Sequence, residues 1–193
     1  MFSGTSPPHN ARLGGSSGRR RGSGAAWHTQ AVAALATFTI GDRTLQLRPA
    51  TVEDLAAIVE LLADDPLGST REDASTHNLG PYRDAFAQID DDRSHLLVVA
   101  SDGSRVVATA QLSFLPGLAR RGAMRAQIEA VRVDHRYRGA GLGEAMIRWM
   151  VEEAKRRNCR LVQLTSDKSR LDAHRFYERI GFCPTHEGFK LEI

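Results

Sequence analysis

The chain has 193 residues and a formal charge of +3, which comes from 26 basic and 23 acidic residues. Residues 1–36 hold four of the arginines and no acidic residue, which leaves 22 basic and 23 acidic residues in the remainder. This balance argues against nucleic acid as a partner, because the basic surplus belongs to the N-terminal part alone.

The apolar runs and the cysteines argue against further classes of protein. No apolar run approaches the roughly 20 residues that a membrane-spanning helix needs, so no membrane partner is expected. The two cysteines, Cys159 and Cys183, are too few for a disulfide framework, and no Cys/His cluster has zinc-binding spacing. The sequence therefore predicts a protein without a bound metal and with a cytoplasmic location.

Residues 1–36 differ from the rest of the chain in composition. They are rich in Gly, Ser, Ala and Arg and show no hydrophobic periodicity, which predicts a disordered leader. Two other interpretations stay open: a transit peptide, from the Arg-rich composition, and a weak secretory segment over Ala31 to Thr37. Against the second, His28 and Gln30 interrupt the apolar run. Residues 37–193 have the length of one domain.

The first half of this domain predicts a strand, two helices and a hairpin. Leu45 to Leu47 alternates like a strand, and a helix capped at Thr51 runs to about Ala63. A second, short helical pattern covers Tyr82 to Ile89. Leu96 to Ala100 and Arg105 to Leu115 flank an Asp-Gly turn and are predicted to pair as a hairpin.

The second half predicts a strand, a crossover helix and a parallel strand. These elements are expected at Arg125 to Val133, Leu142 to about Arg157, and Leu161 to Thr165. A last helix is expected to be capped near Asp172, and Phe182 to Ile193 to supply a closing strand. The order of the elements predicts an α/β (α+β) chain with both antiparallel and parallel strand pairs.

A loop with glycines at positions 139, 141 and 143 joins the strand that ends at Val133 to the crossover helix. The backbone N–H groups of such a turn are suited to hold a phosphate or pyrophosphate. The loop is not a dinucleotide fingerprint, because Glu144 stands where that pattern needs a glycine. From the loop alone, a tight turn without a ligand also stays open as an interpretation.

Two segments resemble the GNAT superfamily of acyl-CoA-dependent N-acyltransferases. Arg136–Gly141 (RYRGAG) fits the signature Arg/Gln-x-x-Gly-x-Gly/Ala, and Ala173–Phe182 (AHRFYERIGF) is similar to the later segment Ala-x-x-Phe-Tyr-x-x-x-Gly-Phe. The resemblance runs from about Leu45 to the C-terminus and implies the GNAT acyl-CoA N-acyltransferase fold, a mixed central sheet with helices on both faces. Residues 165–182 are also similar to aminoalkylphosphonate N-acetyltransferases. Arg170 departs from the pattern, since many members have an asparagine there, near CoA.

The resemblance implies acetyl-CoA as cosubstrate and no metal. The pyrophosphate is expected on the N–H groups of the glycine loop, at the positive end of the following helix. The arginine side chains of the loop either add charge or form a solvated face. Residues 131–133 are expected to pair with the pantetheine arm as an added strand does. The expected donor-binding residues are Val131, Arg132, Val133, Arg136, Arg138, Gly139, Ala140, Gly141, Leu142, Gly143 and Glu144.

Transfer to an amine needs a base, because an alkylammonium group with a pKa of about 10.4 cannot attack before it loses a proton. Glu129 is the candidate. Alternation along the strand is expected to place it on the face of Val131 and Val133, partly desolvated, where it would act through a water. An ion pair with Arg125 or Arg132 on an exposed strand is the alternative.

The leaving thiolate needs a proton, and Tyr177 in the second motif is the candidate acid. Its position on the apolar stripe of the last helix also fits a core tyrosine. A backbone N–H near Val131 is expected to meet the oxyanion. His174 and His186 are further candidates for substrate contact, although isolated histidines more often have no catalytic task.

The acceptor is expected to be a primary amine of a small molecule, acetylated by direct transfer. A protein or peptide amine, and an acyl-CoA-binding regulator without catalysis, are the alternatives that stay open. The prediction also allows for a homodimer. Acidic residues would attract a cationic amine, or basic residues would hold an anionic group. The two sets are Asp64, Asp65, Glu72 and Asp73, and Arg120, Arg121 and Arg125.

Overall fold

The computed structural model describes residues 33–64, 68–72 and 78–193. Residues 1–32 of the predicted leader lie outside the described residues, and the first strand begins at Ala36, inside the predicted leader. The strands are β1 Ala36–Ile40, β2 Arg43–Pro49, β3 His95–Asp102, β4 Arg105–Leu115, β5 Arg125–Val133 and β6 Leu161–Leu164. The helices are α1 Leu55–Ala63, α2 Gly80–Asp91, α3 Ala119–Gly122, α4 Leu142–Arg156 and α5 Leu171–Arg179.

The six strands form one sheet in chain order. Strands β1 to β5 pair antiparallel, whereas β5 and β6 are parallel, since α4 crosses over between them. Arg125 faces Leu161 and Ile128 faces Leu164, where the pairing of β5 with β6 ends. The predicted mixed sheet is therefore confirmed.

Helices cover both faces of the sheet. On one face, Met146 and Met150 of α4 belong to a buried cluster with Leu112 and Ile128 of the sheet. On the other face, Ile58 of α1 belongs to a second cluster, with Val99 of β3. The expectation of helices on both faces is confirmed. We call the two sides of the sheet the α4 face and the α1 face.

The start of α1 is held by a partly buried ion pair. Arg48 donates to both carboxylate oxygens of Asp54, at 2.6 and 2.9 Å, and the Thr51 N–H donates to the same carboxylate at 2.8 Å. Burial raises the pKa of Asp54, but the bonds from Arg48 and Thr51 outweigh it, so the pKa is lowered overall. Thr51 stands at the N-cap of the short 3-10 turn that leads into α1, where the sequence predicts a cap.

The predicted C-terminal strand is wrong. Residues 182–193 are described and contain no strand, although Phe189, Leu191 and Ile193 alternate as strand residues do. The cap of α5 also differs from the prediction. The helix begins at Leu171 and its N-cap residue is Arg170, so that Asp172 lies in the first turn.

Candidate active site

The candidate site is centred on an irregularity in β5. Ala130 has a φ of 51°, in the left-handed region, and the pairing of β4 with β5 shifts there. Gln111 faces Glu129 on one side of the shift, and Thr109 faces Arg132 on the other side, so β5 uses one residue more than β4. Such a β-bulge interrupts the alternation of side chains along the strand.

The bulge places Glu129 and Val133 on opposite faces of the sheet. Residues that face each other across a ladder point to the same side. Glu129 shares the α1 face with Gln111, whereas Val133 faces Ala108 on the α4 face. The predicted common face of Glu129, Val131 and Val133 is wrong, because the period of two does not continue across an extra residue. Glu129 is also exposed, not partly desolvated.

Strand β5 has a free edge from Glu129 onward. Strand β6 ends at Leu164, opposite Ile128, and in the described part of the chain no strand lies beside the rest of β5 on that side. Residues 131–133 are half-buried there. A free strand edge offers N–H and C=O groups to an extended ligand. The expected contact with a pantetheine arm fits this edge and stays a prediction.

The glycine loop opens α4 with unbonded donors. Gly139 and Gly141 have φ values of 75° and 93°, which residues with a side chain rarely adopt, and Ala140 between them is exposed. Gly141 is the N-cap of α4, and the Ala145 N–H donates to its carbonyl at 3.0 Å. The N–H groups of residues 142–144 therefore have no acceptor within the helix, and they stand at its positive end.

Three elements meet at Gly143. A Cβ atom on this residue would lie 3.6 Å from Val133 Cγ2 and 3.8 Å from Phe176 Cζ. The start of α4, the end of β5 and the side of α5 are thus in close contact. Tyr177 follows Phe176 on α5, so the fold brings the two motifs of the sequence together.

Both arginines of the loop bind the protein itself. Arg136 donates to Asp134 through its backbone N–H at 2.9 Å and through Nε at 3.0 Å. Arg138 donates from Nε to the Val133 carbonyl at 2.9 Å and from Nη2 to the Asp64 carboxylate at 2.7 Å. These guanidinium groups hold the loop against β5 and α1, a role that neither interpretation from the sequence includes.

Tyr177 on α5 is half-buried between two phenylalanine rings, one on α5 and one just after it. Its ring lies edge-on to those of Phe176 and Phe182, at centroid distances of 5.2 and 6.0 Å. Burial raises the pKa of Tyr177, and the charges of Arg132 and Arg170 offset this effect only in part. The phenol is therefore protonated at neutral pH, as a proton donor must be. Its packing also fits the alternative of a core tyrosine.

A polar row crosses the α1 face beside Glu129. Gln127 is only 9% exposed, and its Oε1 accepts a hydrogen bond from Gln163 Nε2 at 2.6 Å. Ser113 faces Gln127 across the ladder, and its Oγ lies 2.8 Å from His95 Nδ1. Gln163, Ser113 and His95 are not recognised from the sequence, because only the register of β4, β5 and β6 brings them to this place.

Two of the four acidic residues that were expected to attract a cationic amine bind other side chains of the protein. Asp64 binds Arg138, and Glu72 accepts a hydrogen bond from the Tyr82 hydroxyl at 2.9 Å. Both carboxylates are thus engaged by the protein in this structure. The other two acidic candidates lie outside the described residues: Asp65 and Asp73.

The basic residues that were expected to hold an anionic group lie around the start of β5, away from the bulge. Arg120 and Arg121 are exposed in the short turn α3 before β5, with φ values of 55° and 61°, and Arg125 is the first residue of the strand. His174 Nε2 lies 2.8 Å from a backbone carbonyl and His186 Nδ1 lies 2.7 Å from a threonine hydroxyl, and both side chains are on the surface. Within the described part of the chain, none of these residues forms a hydrogen bond or ion pair with Glu129.

A groove of about 640 Å³ lies between α1 and the start of the glycine loop. Its lining includes Glu60, Arg105 and His135, but neither Glu129 nor Tyr177 borders it. The groove is therefore separate from the free edge of β5.

The described residues contain no group of three or more His, Cys, Asp or Glu side chains that could hold a metal ion. They also contain no helix that is long and apolar enough to cross a membrane. The expectations of no metal and of a cytoplasmic location stay predictions.

The family assignment follows from comparison with known proteins. The family model "Acetyltransferase (GNAT) family" matches residues 55–182, which include α1, the bulge, the glycine loop and α5. The chain belongs to the GNAT family of acetyltransferases. The resemblance stated from the two motifs is thereby confirmed, together with the fold that it implies.

Two curated relatives are N-acetyltransferases. Glucosamine 6-phosphate N-acetyltransferase of Trypanosoma brucei brucei is 37% identical over 89 residues, which are 46% of this chain and 58% of that protein. Aminoalkylphosphonate N-acetyltransferase of Salmonella typhimurium is 38% identical over 52 residues, which are 27% of this chain and 34% of that protein. The matched part thus spans little more than half of the first relative and about a third of the second.

Solved structures of other proteins share the fold over most of the chain. A transcriptional regulator from Bacillus halodurans C-125 is 43% identical, with a TM-score of 0.75 over 77% of this chain and 99% of that chain. A predicted acetyltransferase from Clostridium acetobutylicum, solved with acetyl-CoA, is 20% identical, with a TM-score of 0.61 over 77% of this chain and 96% of that chain. The second likeness concerns the fold alone.

Proposed function

We propose that this chain transfers the acetyl group of acetyl-CoA directly to a primary amine of a small molecule. The observation that carries the proposal is the glycine loop, whose free N–H groups at the start of α4 stand next to the free edge of β5. A helix N-terminus favours an anion, and a strand edge favours an extended arm. The pyrophosphate and the pantetheine arm of CoA provide both in one molecule.

The residues present fit acetyl-CoA, which supplies the thioester that the amine attacks. The N–H groups of residues 139–144 hold the pyrophosphate, and residues 131–133 bind the pantetheine arm. Arg136 and Arg138 act by keeping the loop in shape, since their guanidinium groups bind Asp134 and Asp64. The two arginines therefore support donor binding by holding the loop in place.

Glu129 and Tyr177 carry out the two proton transfers. Glu129, exposed where the free edge of β5 begins, removes a proton from the ammonium group through a water, which frees the nitrogen lone pair. The C–N bond then forms and the C–S bond breaks, while a backbone N–H near Val131 stabilises the oxyanion. Tyr177, whose pKa is raised by burial, is protonated and gives its proton to the departing thiolate. The second proton that the attacking nitrogen loses as it becomes the amide restores the Tyr177 phenol, and the proton taken up by Glu129 passes to solvent.

The acceptor class is inferred from the relatives and from charge. The substrates in the names of both curated relatives combine an amine with a phosphate or phosphonate group. We therefore expect an acceptor with an anionic group besides its amine. Arg120, Arg121 and Arg125, exposed around the start of β5, are the candidates to bind that group.

A thiol-release assay with acetyl-CoA tests the proposal. The panel contains glucosamine 6-phosphate, 2-aminoethylphosphonate, polyamines, free amino acids and lysine peptides. We expect the highest kcat/KM with the two phosphorus-containing amines. Turnover restricted to peptides would instead assign the chain to protein acetylation.

One observation favours a second candidate function. The Bacillus halodurans protein that is 43% identical to this chain is described as a transcriptional regulator. An acyl-CoA-binding regulator would keep the fold and the loop without catalysis. Calorimetric binding of acetyl-CoA together with no turnover on any amine of the panel would support this second function.

A further inference from the structure

Tyr137 stands at the entrance of the glycine loop. It is the last residue of the short 3-10 turn His135–Tyr137 and lies two residues before Gly139. Only 7% of it is exposed, and it belongs to the buried cluster of the α4 face. The buried ring therefore fixes where the chain enters the loop. A phenylalanine ring would fill the same space, so packing alone does not account for the hydroxyl group.

The Tyr137 hydroxyl makes hydrogen bonds to two charged side chains. It donates to Asp102 Oδ2 at 2.7 Å and accepts from Arg43 Nη1 at 2.7 Å. Arg43 also donates to Asp102 Oδ2 at 2.9 Å, and its guanidinium lies 5.1 Å from the centroid of the Tyr137 ring. The bonds from Tyr137 and from Arg43 lower the pKa of Asp102, so the carboxylate is ionised at neutral pH and accepts both. We call these three side chains the turn clamp.

The three side chains of the turn clamp come from three separate turns. Arg43 is the first residue of β2, after the β1–β2 turn, and Asp102 is the last residue of β3, before the β3–β4 turn. Tyr137 belongs to the turn between β5 and α4. The turn clamp therefore ties the loop entrance to the ends of two hairpins, whereas Arg138 ties the loop to α1. Arg43 also precedes residues 55–182, which the family model matches, so the motif of the loop does not include it.

We propose that Tyr137 is a positioning residue, whose hydroxyl bonds to Asp102 and Arg43 hold the glycine loop in the shape that binds the pyrophosphate of acetyl-CoA. This inference rests on the proposed function of the loop. A loop that is ordered before its ligand arrives loses less conformational entropy on binding. No hydrogen bond or ion pair joins the turn clamp to Glu129 or Tyr177 in the described part of the chain. The turn clamp should therefore set the affinity for acetyl-CoA and leave kcat unchanged.

Calorimetry and steady-state kinetics of Tyr137→Phe test the proposal, because this substitution removes the hydroxyl and keeps the ring. We expect Kd and KM for acetyl-CoA to rise about tenfold, as the loss of a hydrogen bond to a charged group allows, while kcat stays within about twofold of wild type. Tyr82→Phe is the matched control. The Tyr82 hydroxyl also donates to a carboxylate, that of Glu72 at 2.9 Å, but it lies on α2, so its loss should leave the affinity for acetyl-CoA unchanged.

Arg43→Met tests the turn clamp from the β1–β2 turn, on a side chain that is half exposed. It should weaken acetyl-CoA binding in the same direction as Tyr137→Phe. The double variant should lose little more affinity than Tyr137→Phe alone, because both changes remove the same contact. Arg43→Lys keeps a charged donor and should restore most of the affinity. Fully additive losses in the double variant would overturn the proposal.

Amide hydrogen exchange without a ligand separates this inference from the proposed function. The Tyr137 N–H donates to the Asp134 carbonyl at 2.8 Å, and the Ala145 N–H donates to the Gly141 carbonyl at 3.0 Å. Both amides should exchange several-fold faster in Tyr137→Phe, because the loop entrance opens more often. A wild-type protein that does not bind acetyl-CoA would contradict the proposed function, and the exchange rates would then decide on the turn clamp alone. Wild-type exchange in Tyr137→Phe, or a lower Tm with unchanged Kd for acetyl-CoA, would assign the hydroxyl to fold stability and overturn the proposal.

Discussion

Glu129 stands at the residue where β5 loses one of its two neighbouring strands. The next residue, Ala130, carries the bulge, so Glu129 points to the α1 face while the free edge begins beside it. The polar row around Gln127 lies two residues before it on the same face. A carboxylate at this junction can reach a ligand on the free edge and an acceptor on the α1 face.

We expect Glu129→Gln to lower kcat about 10²-fold at neutral pH, since the amide cannot remove a proton from the ammonium group. The loss should shrink at alkaline pH, where the free amine is already present. Glu152→Gln, which changes an exposed carboxylate on α4, is the control and should retain wild-type kcat. A pH-rate profile of Glu129→Gln that matches the wild type would remove Glu129 as the base.

Tyr177→Phe should slow transfer by roughly 10² while leaving the affinity for acetyl-CoA nearly unchanged. Burial raises the pKa of Tyr177 above its ordinary value, so the phenol stays protonated through the neutral range. The wild-type rate is therefore expected not to fall on the alkaline side below about pH 10, the ordinary pKa of a tyrosine. Wild-type turnover in Tyr177→Phe, with lower thermal stability, would assign the residue to packing alone.

At the scale of elements, the pair Arg48–Asp54 joins β2 to the start of α1. Arg48→Met leaves the Asp54 carboxylate without its main partner and should cost about 3 kcal/mol of unfolding free energy in urea titration. Because the folded-state pKa of Asp54 is lowered, the stabilisation is present above about pH 4 and is lost as pH falls through the folded pKa.

The difference in unfolding free energy between wild type and Arg48→Met should therefore become smaller at acidic pH. Arg83→Met, which changes an exposed arginine on α2, serves as the control and should have little effect at either pH. A difference of the same size at neutral and acidic pH would contradict the assignment of this pair as the main anchor of α1.

Elements with strong local patterns are predictable from this sequence. Strand β5 has the predicted bounds, and α1, the β3–β4 hairpin and α4 lie within a few residues of theirs. Strand β1 is missed, because Ala36–Ile40 follows a leader-like composition and becomes recognisable only through its pairing with β2. The alternation in residues 189–193 does not make a strand, since a strand also needs a neighbour to pair with.

The candidate site is only partly predictable, for a similar reason. The glycine loop and Tyr177 carry local motifs, and the structure places their elements side by side at Gly143. The side to which Glu129 points depends on a register shift between two strands, and Ala130 adopts its positive φ without the glycine that usually marks such a position. The charge of Arg138 suggests anion binding, which stays a prediction, whereas its bond to Asp64, which ties the loop to α1, is visible only in the structure.

At the scale of the whole molecule, the free edge of β5, the start of α4 and the side of α5 converge on one place. At Gly143, a Cβ atom would lie within 4 Å of both Val133 and Phe176. The proposed acetyl-CoA site and Tyr177 therefore depend on the same packing. The polar row and Glu129, in contrast, lie on the α1 face. This arrangement allows acetyl-CoA and the amine to approach the bulge from different faces of the sheet.

The central claim is that the glycine loop holds acetyl-CoA, and calorimetry of Gly141→Val tests it most directly. Gly141 has a φ of 93° and no atom within 4 Å of its Cβ position. A valine there strains the loop and also fills the space in which the pyrophosphate is proposed to bind. Gly103→Val is the matched control, because Gly103 has a φ of 59° and equal space but lies in the β3–β4 turn. We expect acetyl-CoA affinity to fall at least a hundredfold in Gly141→Val and to be kept in Gly103→Val. Wild-type affinity in a folded Gly141→Val protein would contradict the account.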